Sequence, residues 1–138
     1  MTASDLAYPV LFLYKDALAG VRTEEALTTT TSVALRAGFF DGLRVIDSEG
    51  RQYTVTKARF LHGVGRFWGY NIFLNRRIRV AIDLLESGEV LNVDAVRGLV
   101  LREFRSWHGW QAGGDFDELQ RGVERASTVG EIIRLVAS

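Results

Sequence analysis

Apolar and polar residues alternate with a period of two over much of the first two thirds of the chain. The stretch YPVLFLY at residues 8–14 is short and rich in strand-forming residues. Because proline cannot donate to a sheet ladder, Pro9 at its start indicates an edge strand or the first residue of a strand. The pattern therefore predicts a strand close to the N-terminus.

The clearest alternation lies in GLRVID at residues 42–47 and QYTVTKARF at residues 52–60. The intervening SEGR, residues 48–51, has the composition of a tight turn, so we predict an antiparallel hairpin. Within 52–60, the alternation predicts one face with Tyr53, Val55 and Lys57 and an opposite face with Thr54, Thr56 and Ala58.

A second strand pair is predicted for YNIFL at residues 70–74 and RIRVAIDLL at residues 77–85, with Asn75-Arg76 as the turn. In the second segment, apolar residues alternate with polar or small ones; the apolar positions are Ile78, Val80, Ile82 and Leu84. A helix is the alternative, because Ile78, Ile82 and Leu85 also fit one helical face and Asn75 fits an N-cap.

Short polar segments separate these strands. Threonines at 28–31 are typical of a strand or a helix cap. The following SVALRAGFF, residues 32–40, predicts one or two helical turns, with Thr31 or Ser32 as N-cap and Gly38 at the end.

From Asn92 the apolar period changes to about 3.6 residues, which predicts helices. The stripe of the first contains Val96, Leu99, Val100, Phe104 and Trp107, and Gly109 marks its end. Asp115 with Glu118 and Thr128 with Glu131 fit capping boxes of two further helices. Their apolar positions are Phe116, Leu119 and Val123 in the second helix and Ile132, Ile133 and Val136 in the third.

Strands early and helices late predict an α+β fold. We expect a mainly antiparallel sheet of about four or five strands in the N-terminal two thirds, with C-terminal helices packed on one face. The chain of 138 residues has no linker, repeat or low-complexity tract, so residues 1–138 are expected to form a single domain.

Composition narrows the function classes. With no cysteine, the chain lacks thiolate nucleophiles, disulfides and cysteine-ligated metals. The first apolar stretch ends at Lys15-Asp16, well short of a membrane span. We therefore expect a cytoplasmic protein that does not enter a membrane.

Charge changes the picture more. Net charge is zero, with 17 basic and 17 acidic residues. Residues 50–82 nevertheless contain seven basic residues and no acidic one, which leaves ten basic and 17 acidic residues for the rest of the chain. If the basic segment folds onto one face, the molecule becomes electrostatically two-sided.

No familiar catalytic or cofactor motif is complete. Gly63-Val64-Gly65 resembles a dinucleotide loop, but Trp68 stands where the third glycine is needed and a strand is predicted to follow; we interpret the glycines as an irregular turn. The two histidines, His62 and His108, show no metal-ligand spacing, and no serine lies in a nucleophile elbow. We therefore predict no catalytic residues, no metal and no cofactor.

The basic-aromatic segment is the strongest functional feature, because arginines and rings can bind an acidic or phosphate-bearing partner. Trp110, in a predicted loop with Gly113-Gly114, is expected to act as a further anchor. The predicted binding residues are Arg59, His62, Arg66, Phe67, Trp68, Tyr70, Arg76, Arg77, Arg79 and Trp110.

Three functions fit these residues. The first is a non-catalytic protein-binding domain for a partner with an acidic surface, in size and character like small bacterial immunity or inhibitor proteins and adaptors. The second is nucleic-acid binding through residues 57–79, although neutral overall charge and the lack of an RNP-like motif disfavour it. The third is a small anionic-ligand pocket between sheet and helices, lined by Trp68, Tyr70, Trp110 and an arginine.

Overall fold

The computed structural model describes residues 1–14, 17–64, 77–106 and 115–137. Over these ranges the fold is α+β, as predicted, with one antiparallel sheet of six strands and five α-helices. The strands are β1 Val10–Tyr14, β2 Ala17–Val21, β3 Thr29–Thr31, β4 Arg44–Ile46, β5 Arg51–Gly63 and β6 Arg77–Val90. The helices are α1 Glu24–Thr28, α2 Ser32–Arg36, α3 Val93–Ser106, α4 Phe116–Arg125 and α5 Val129–Val136.

The sheet order is β2-β1-β4-β5-β6-β3, and each neighbouring pair is antiparallel. The first strand lies inside the sheet, because β1 pairs with β2 on one side and with β4 on the other. Of the two predicted positions for Pro9, the edge strand is therefore wrong. Pro9 directly precedes β1, and its carbonyl oxygen accepts a hydrogen bond of 2.6 Å from Ser48 Oγ.

One strand, β2, has no clear signal in the sequence and makes the sheet larger than predicted. It forms as the edge partner of β1, with Val10 opposite Val21. Its Gly20 lies so close to the end of α5 that a Cβ there would meet Ala137 Cβ at 2.8 Å. The missing side chain thus lets the last helix approach the edge of the sheet.

Threonines 28–31 serve both roles predicted for them. Thr29–Thr31 form β3, and Thr31 Oγ1 accepts a hydrogen bond of 3.1 Å from Ala34 N as the N-cap of α2. The helix ends at Arg36, two residues before Gly38. Because α1 and α2 flank β3, the simple order of strands first and helices last does not hold in this part of the chain.

The β4–β5 hairpin is confirmed, with Val45 opposite Tyr53. The turn is organised by Asp47, whose buried carboxylate accepts hydrogen bonds from Glu49 N at 3.0 Å and Arg51 N at 3.1 Å. A carboxylate that accepts backbone amides replaces the water it loses on burial. This explains how a charged side chain can lie between two strands.

The predicted faces of β5 hold only as far as Val55. An irregularity in the β5–β6 register lies between Val55 and Lys57, and beyond it Lys57 is exposed whereas Ala58 packs against the core. The prediction that Lys57 shares a face with Val55 is therefore wrong. An extra residue in one strand reverses the side-chain alternation that follows it.

The segment from Arg77 is a strand, so the alternative helix over residues 77–85 is wrong. From Arg77 to Leu84 every second side chain of β6 is buried, namely Ile78, Val80, Ile82 and Leu84, as the alternation predicted. The predicted partner strand at residues 70–74 and its turn at 75–76 lie outside the described residues.

Buried side chains form two clusters, one on each face of the curled sheet. Adjacent residues of β1 point to different clusters: Val10 belongs to the first and Leu11 to the second. The first cluster is closed by Leu27 of α1 and by Phe40. The second contains the apolar residues of the C-terminal helices; its helical members are Val96, Val100, Phe104, Val123, Val129, Ile132, Ile133 and Val136. The C-terminal helices thus pack on one face, as predicted.

The predicted helix starts are close to those observed. Asn92 Oδ1 accepts from Ala95 N at 2.8 Å before α3, and Thr128 Oγ1 accepts from Glu131 N at 3.1 Å in α5. Asp115 is the N-cap of α4, but its side chain makes no capping hydrogen bond. The Glu131 carboxylate reaches Ser127 rather than Thr128, so the second capping box is half formed. Among the described helices, none is both long and apolar enough to cross a membrane.

Candidate functional site

The outer half of the β5–β6 pair carries all of the predicted binding residues that the structure describes. Register pairing between β4 and β5 ends at Thr54. Val55 makes two further backbone hydrogen bonds, from its N to Leu43 O at 2.8 Å and from Gly42 N to its O at 3.3 Å. Beyond that point β5 and β6 continue together for a further eight residues of β5. We call residues 56–63 of β5 and 77–83 of β6 the hairpin arm.

Four predicted binding residues lie on the hairpin arm: Arg59, His62, Arg77 and Arg79. The other six lie outside the described residues; they are Arg66, Phe67, Trp68, Tyr70, Arg76 and Trp110. The predicted pocket around Trp68, Tyr70 and Trp110 therefore lies outside them too. The same holds for His108, and for Gly65 of the GxG, whereas Gly63 is the last residue of β5, opposite Ile78.

The arm places its cations on one face. In register, Lys57 lies opposite Asp83, Arg59 opposite Ala81 and His62 opposite Arg79. Residues directly opposite each other on paired strands share a face, and alternate residues along β6 also share a face. The face opposite the buried Ile78, Val80 and Ile82 therefore carries Lys57, Arg59, His62, Arg77 and Arg79; we call it the basic face.

Little of this positive charge is neutralised within the part of the chain that the structure describes. Arg59 Nη2 lies 4.0 Å from Asp83 Oδ1, at the limit of an ion pair, and both side chains are roughly half exposed. Exposed pairs of this kind contribute at most about 1 kcal/mol. The imidazole of His62 is exposed, with Nδ1 2.8 Å from the Gly63 carbonyl oxygen. Lys57 and Arg77 are exposed and lie in no described ion pair.

Arg51, the first cation of the acid-free span, does not belong to this face. Its Nη2 lies 3.0 Å from Asp47 Oδ2 and 2.8 Å from Glu49 Oε2 at the β4–β5 turn. The Asp47 carboxylate raises the pKa of the Arg51 guanidinium, and Glu49 adds to the shift. The positive charge of residues 50–82 is thus partly neutralised at the start of the segment by acids that precede it in the sequence.

A pocket of about 160 Å³ opens on the basic face above Ala81. The strands line it with two residues of β5 and five consecutive residues of β6, namely Arg59, Leu61, Arg79, Val80, Ala81, Ile82 and Asp83. Three residues from earlier in the chain, Thr2, Glu24 and Thr28, complete the polar wall.

Arg79 is held in place from the edge of the sheet. Its Nε donates to Thr28 Oγ1 at 2.7 Å, and the Thr28 hydroxyl donates to the Glu24 carbonyl oxygen at 2.8 Å. Close by, burial raises the pKa of the Tyr8 hydroxyl; the Glu24 carboxylate raises it further and the Arg79 guanidinium opposes both. Glu24 and Arg79 thus have opposite electrostatic effects on the same hydroxyl group.

Sequence reasoning found Arg59 and Arg79 but missed the rest of this pocket. Thr2 reaches it because it pairs with Asp83, and Leu84 N donates to Met1 O at 2.8 Å. Thr28 and Glu24 reach it because β3 pairs with the start of β6. These contacts join segments more than 50 residues apart, for which the local pattern carries no signal.

The basic face presents cationic groups that can bind acidic groups. Among the described residues, no three His, Asp or Glu side chains cluster as metal ligands. No protein-family model, curated protein or solved structure matches this chain. What the basic face can do chemically is to bind acidic groups through exposed cations, next to one small pocket lined by both signs of charge.

Proposed function

We propose that this chain is a non-catalytic protein-binding domain whose basic face contacts an acidic surface on its partner. The observation that carries the proposal is the gathering of Lys57, Arg59, Arg77 and Arg79 on one face of the hairpin arm, where Asp83 is the one described carboxylate. Complementary charge steers partners together and excludes partners of like charge.

Apolar side chains on the arm add to this support. Phe60 is 47% exposed and Leu61 is 53% exposed, in contrast to the buried Val80 on the neighbouring strand. Protein interfaces combine arginine and aromatic or aliphatic contacts, whereas a surface that only repels aggregation needs charge alone. Phe60 pairs with Val80 and so lies on the face opposite the cations, whereas Leu61 lines a pocket together with Arg59 and Arg79. Exposed apolar residues on both sides of the arm therefore favour a docking role for it.

The finer proposal is that the protein acts in the cytoplasm of a bacterium, as a small immunity or inhibitor protein or as an adaptor. A chain of 138 residues without cysteine fits this class and a reducing compartment. The genes next to its own provide a direct check: we expect a toxin or an enzyme whose surface is acidic.

The proposal is tested by reversing charge on the arm. We expect the variant Lys57→Glu/Arg59→Glu/Arg77→Glu to lose at least tenfold in affinity for the partner captured by the wild-type chain from the native host. The matched control is Arg102→Glu/Arg121→Glu/Arg134→Glu, which changes net charge equally at exposed positions on the helices. Titration calorimetry with the purified partner gives the affinities, and circular dichroism shows that both variants fold.

Equal loss of affinity in both variants would show that only total charge matters and would contradict a docking face. Capture of nucleic acid instead of protein, with an affinity that falls steeply with salt, would replace the proposal by the second function. Nuclease treatment of the extract before capture separates these outcomes.

A further inference from the structure

The pocket above Ala81 contains two opposite charges that do not pair with each other. Arg79 makes its described hydrogen bond through Nε to a neutral hydroxyl, and no described carboxylate lies within 4.0 Å of its nitrogens. Glu24 lines the same pocket and likewise lies in no described ion pair. A ligand that carries both signs of charge can satisfy both groups at once.

Arg79 is suited to bind the anionic end of such a ligand. Its side chain is partly buried, so the guanidinium has lost part of its water, and the bond from Nε to Thr28 limits its movement. A guanidinium held in this way binds a carboxylate through strong charge-assisted hydrogen bonds. Rotamer freedom already lost on folding is not lost again on binding.

The walls of the pocket limit the size and polarity of the ligand. A volume of about 160 Å³ lies below the range of about 300 to 1,000 Å³ found for drug-sized ligands. Apolar side chains of Ala3, Leu61 and Ala81 lie beside the charged groups, with the hydroxyl of Thr2 at the edge. The pocket therefore matches a molecule of a few non-hydrogen atoms with a short aliphatic group.

We infer that the pocket above Ala81 binds a small aliphatic α-amino acid as its zwitterion, with the carboxylate at Arg79 and the ammonium group at Glu24. Arg59 and Asp83 line the same pocket, so its two basic and two acidic side chains balance in charge. This inference does not rest on the proposed protein partner, because the pocket is formed within one chain.

The test compares three probes by NMR on the intact protein. L-alanine carries both charges, N-acetyl-L-alanine only the carboxylate and L-alaninamide only the ammonium group. We expect L-alanine to cause saturable shifts of the Val80, Ala81 and Ile82 amides, with millimolar or stronger affinity. Because each analogue loses one charge-assisted contact, we expect it to bind at least about tenfold more weakly.

Variants then locate the site. Ala81→Leu fills the pocket without removing a charge, and we expect it to abolish the response to L-alanine. Glu24→Gln is expected to weaken L-alanine about tenfold while leaving the response to N-acetyl-L-alanine unchanged or stronger. The matched control is Arg77→Gln, which removes an exposed cation two residues from Arg79 but outside the pocket, and we expect it to bind as the wild type does.

Two results would overturn the inference. N-acetyl-L-alanine binding as tightly as L-alanine would show an anion site without a role for Glu24. No saturable shift with any probe, while the amide spectrum shows a folded chain, would show that the pocket binds no amino acid. Neither result bears on the protein-binding proposal, which depends on exposed charge and not on the pocket.

Discussion

Two halves of one sheet differ in what covers them. Over β1 and β4, neighbouring residues such as Val10 and Leu11, or Val45 and Ile46, are all buried, because side chains on both faces pack in a core. In β6 of the hairpin arm, apolar residues alternate with polar or small ones, and the side chains on the Val80 face are the buried ones. The contrast teaches that consecutive apolar residues predict a strand covered on both sides, whereas strict alternation predicts one solvent face.

The open face of the arm belongs to the same side of the sheet as the C-terminal helices. Leu85 lies on the Asp83 face of β6 and pairs with Thr54, and Gln52, two residues before Thr54, pairs with Ile46 of the helix-side cluster. The contacts of α3 and α5 with the sheet are made at β1 and β2. The position of the helices thus decides which part of this side carries charge.

The largest expected loss of stability comes from a substitution on the buried side of the arm. Val80→Asp places a carboxylate at a position that is 1% exposed, and we expect it to lower the free energy of unfolding by more than about 4 kcal/mol. Arg77→Asp on the basic face is the control and is expected to change it by less than about 0.5 kcal/mol. Urea denaturation measures both, and similar losses would contradict the two-faced arm.

A matched pair of leucines compares the two halves directly. Leu11→Ala removes a fully buried side chain between β1 and the C-terminal helices, and we expect a loss of about 3 kcal/mol. Leu61→Ala removes a side chain that is 53% exposed on the arm, for which we expect a loss below about 1 kcal/mol. Thermal unfolding distinguishes them; a larger loss at Leu61 would mean that the arm is part of the core.

The turn between β4 and β5 contains a glycine at which one added methyl group is expected to lower stability. Gly50 has φ +83°, and a Cβ there would meet Leu91 O at 2.1 Å. We expect Gly50→Ala to cost about 3 kcal/mol from backbone strain and the clash. Gly42 has φ +70° but open space around the added atom, so Gly42→Ala is expected to cost about 1 kcal/mol. Equal costs, measured by urea denaturation, would show that the contact with Leu91 yields freely.

The smallest expected effect concerns Tyr53, which is buried in the first cluster while its hydroxyl has no hydrogen-bond partner among the described residues. Tyr53→Phe removes the cost of burying that hydroxyl and is expected to raise stability by up to about 1 kcal/mol. The Leu11 and Val80 variants disturb apolar packing in the same sheet and are expected to lose stability. A gain in the Tyr53 variant would therefore be due to the removal of a buried polar group. A clear loss would reveal a partner for the hydroxyl.

The same variant predicts a change with pH. Burial raises the pKa of the Tyr53 hydroxyl, and nearby Asp47 adds to the shift. The folded state thus favours the protonated phenol, so its contribution is complete below the unfolded pKa of about 10 and is lost as pH rises above it. We expect wild-type stability to fall above pH of about 10, and Tyr53→Phe to fall less steeply, in chemical denaturation at each pH. Parallel curves would contradict the shift.

Residues with strong local periodicity were predictable. The buried set of β6 and the helical stripe of α3 follow from periods of two and 3.6, and Thr31 and Thr128 cap helices as expected. The prediction failed where one extra residue reverses the side-chain alternation of a strand, or where a strand depends on a pairing partner outside its own segment. The irregularity after Val55 turned Lys57 outward, and β2 became a strand because β1 presented an edge to it.

By itself, the sequence determined the α+β class, the hairpin, the buried face of β6 and the start of each C-terminal helix, because these depend on neighbours within a few residues. Only the tertiary structure decided that Arg59 and Arg79 share a pocket with Thr2 and Glu24, and that Arg51 turns away to Asp47. Pairing of distant segments sets those contacts. It depends on which sheet edges remain available once the local elements have formed.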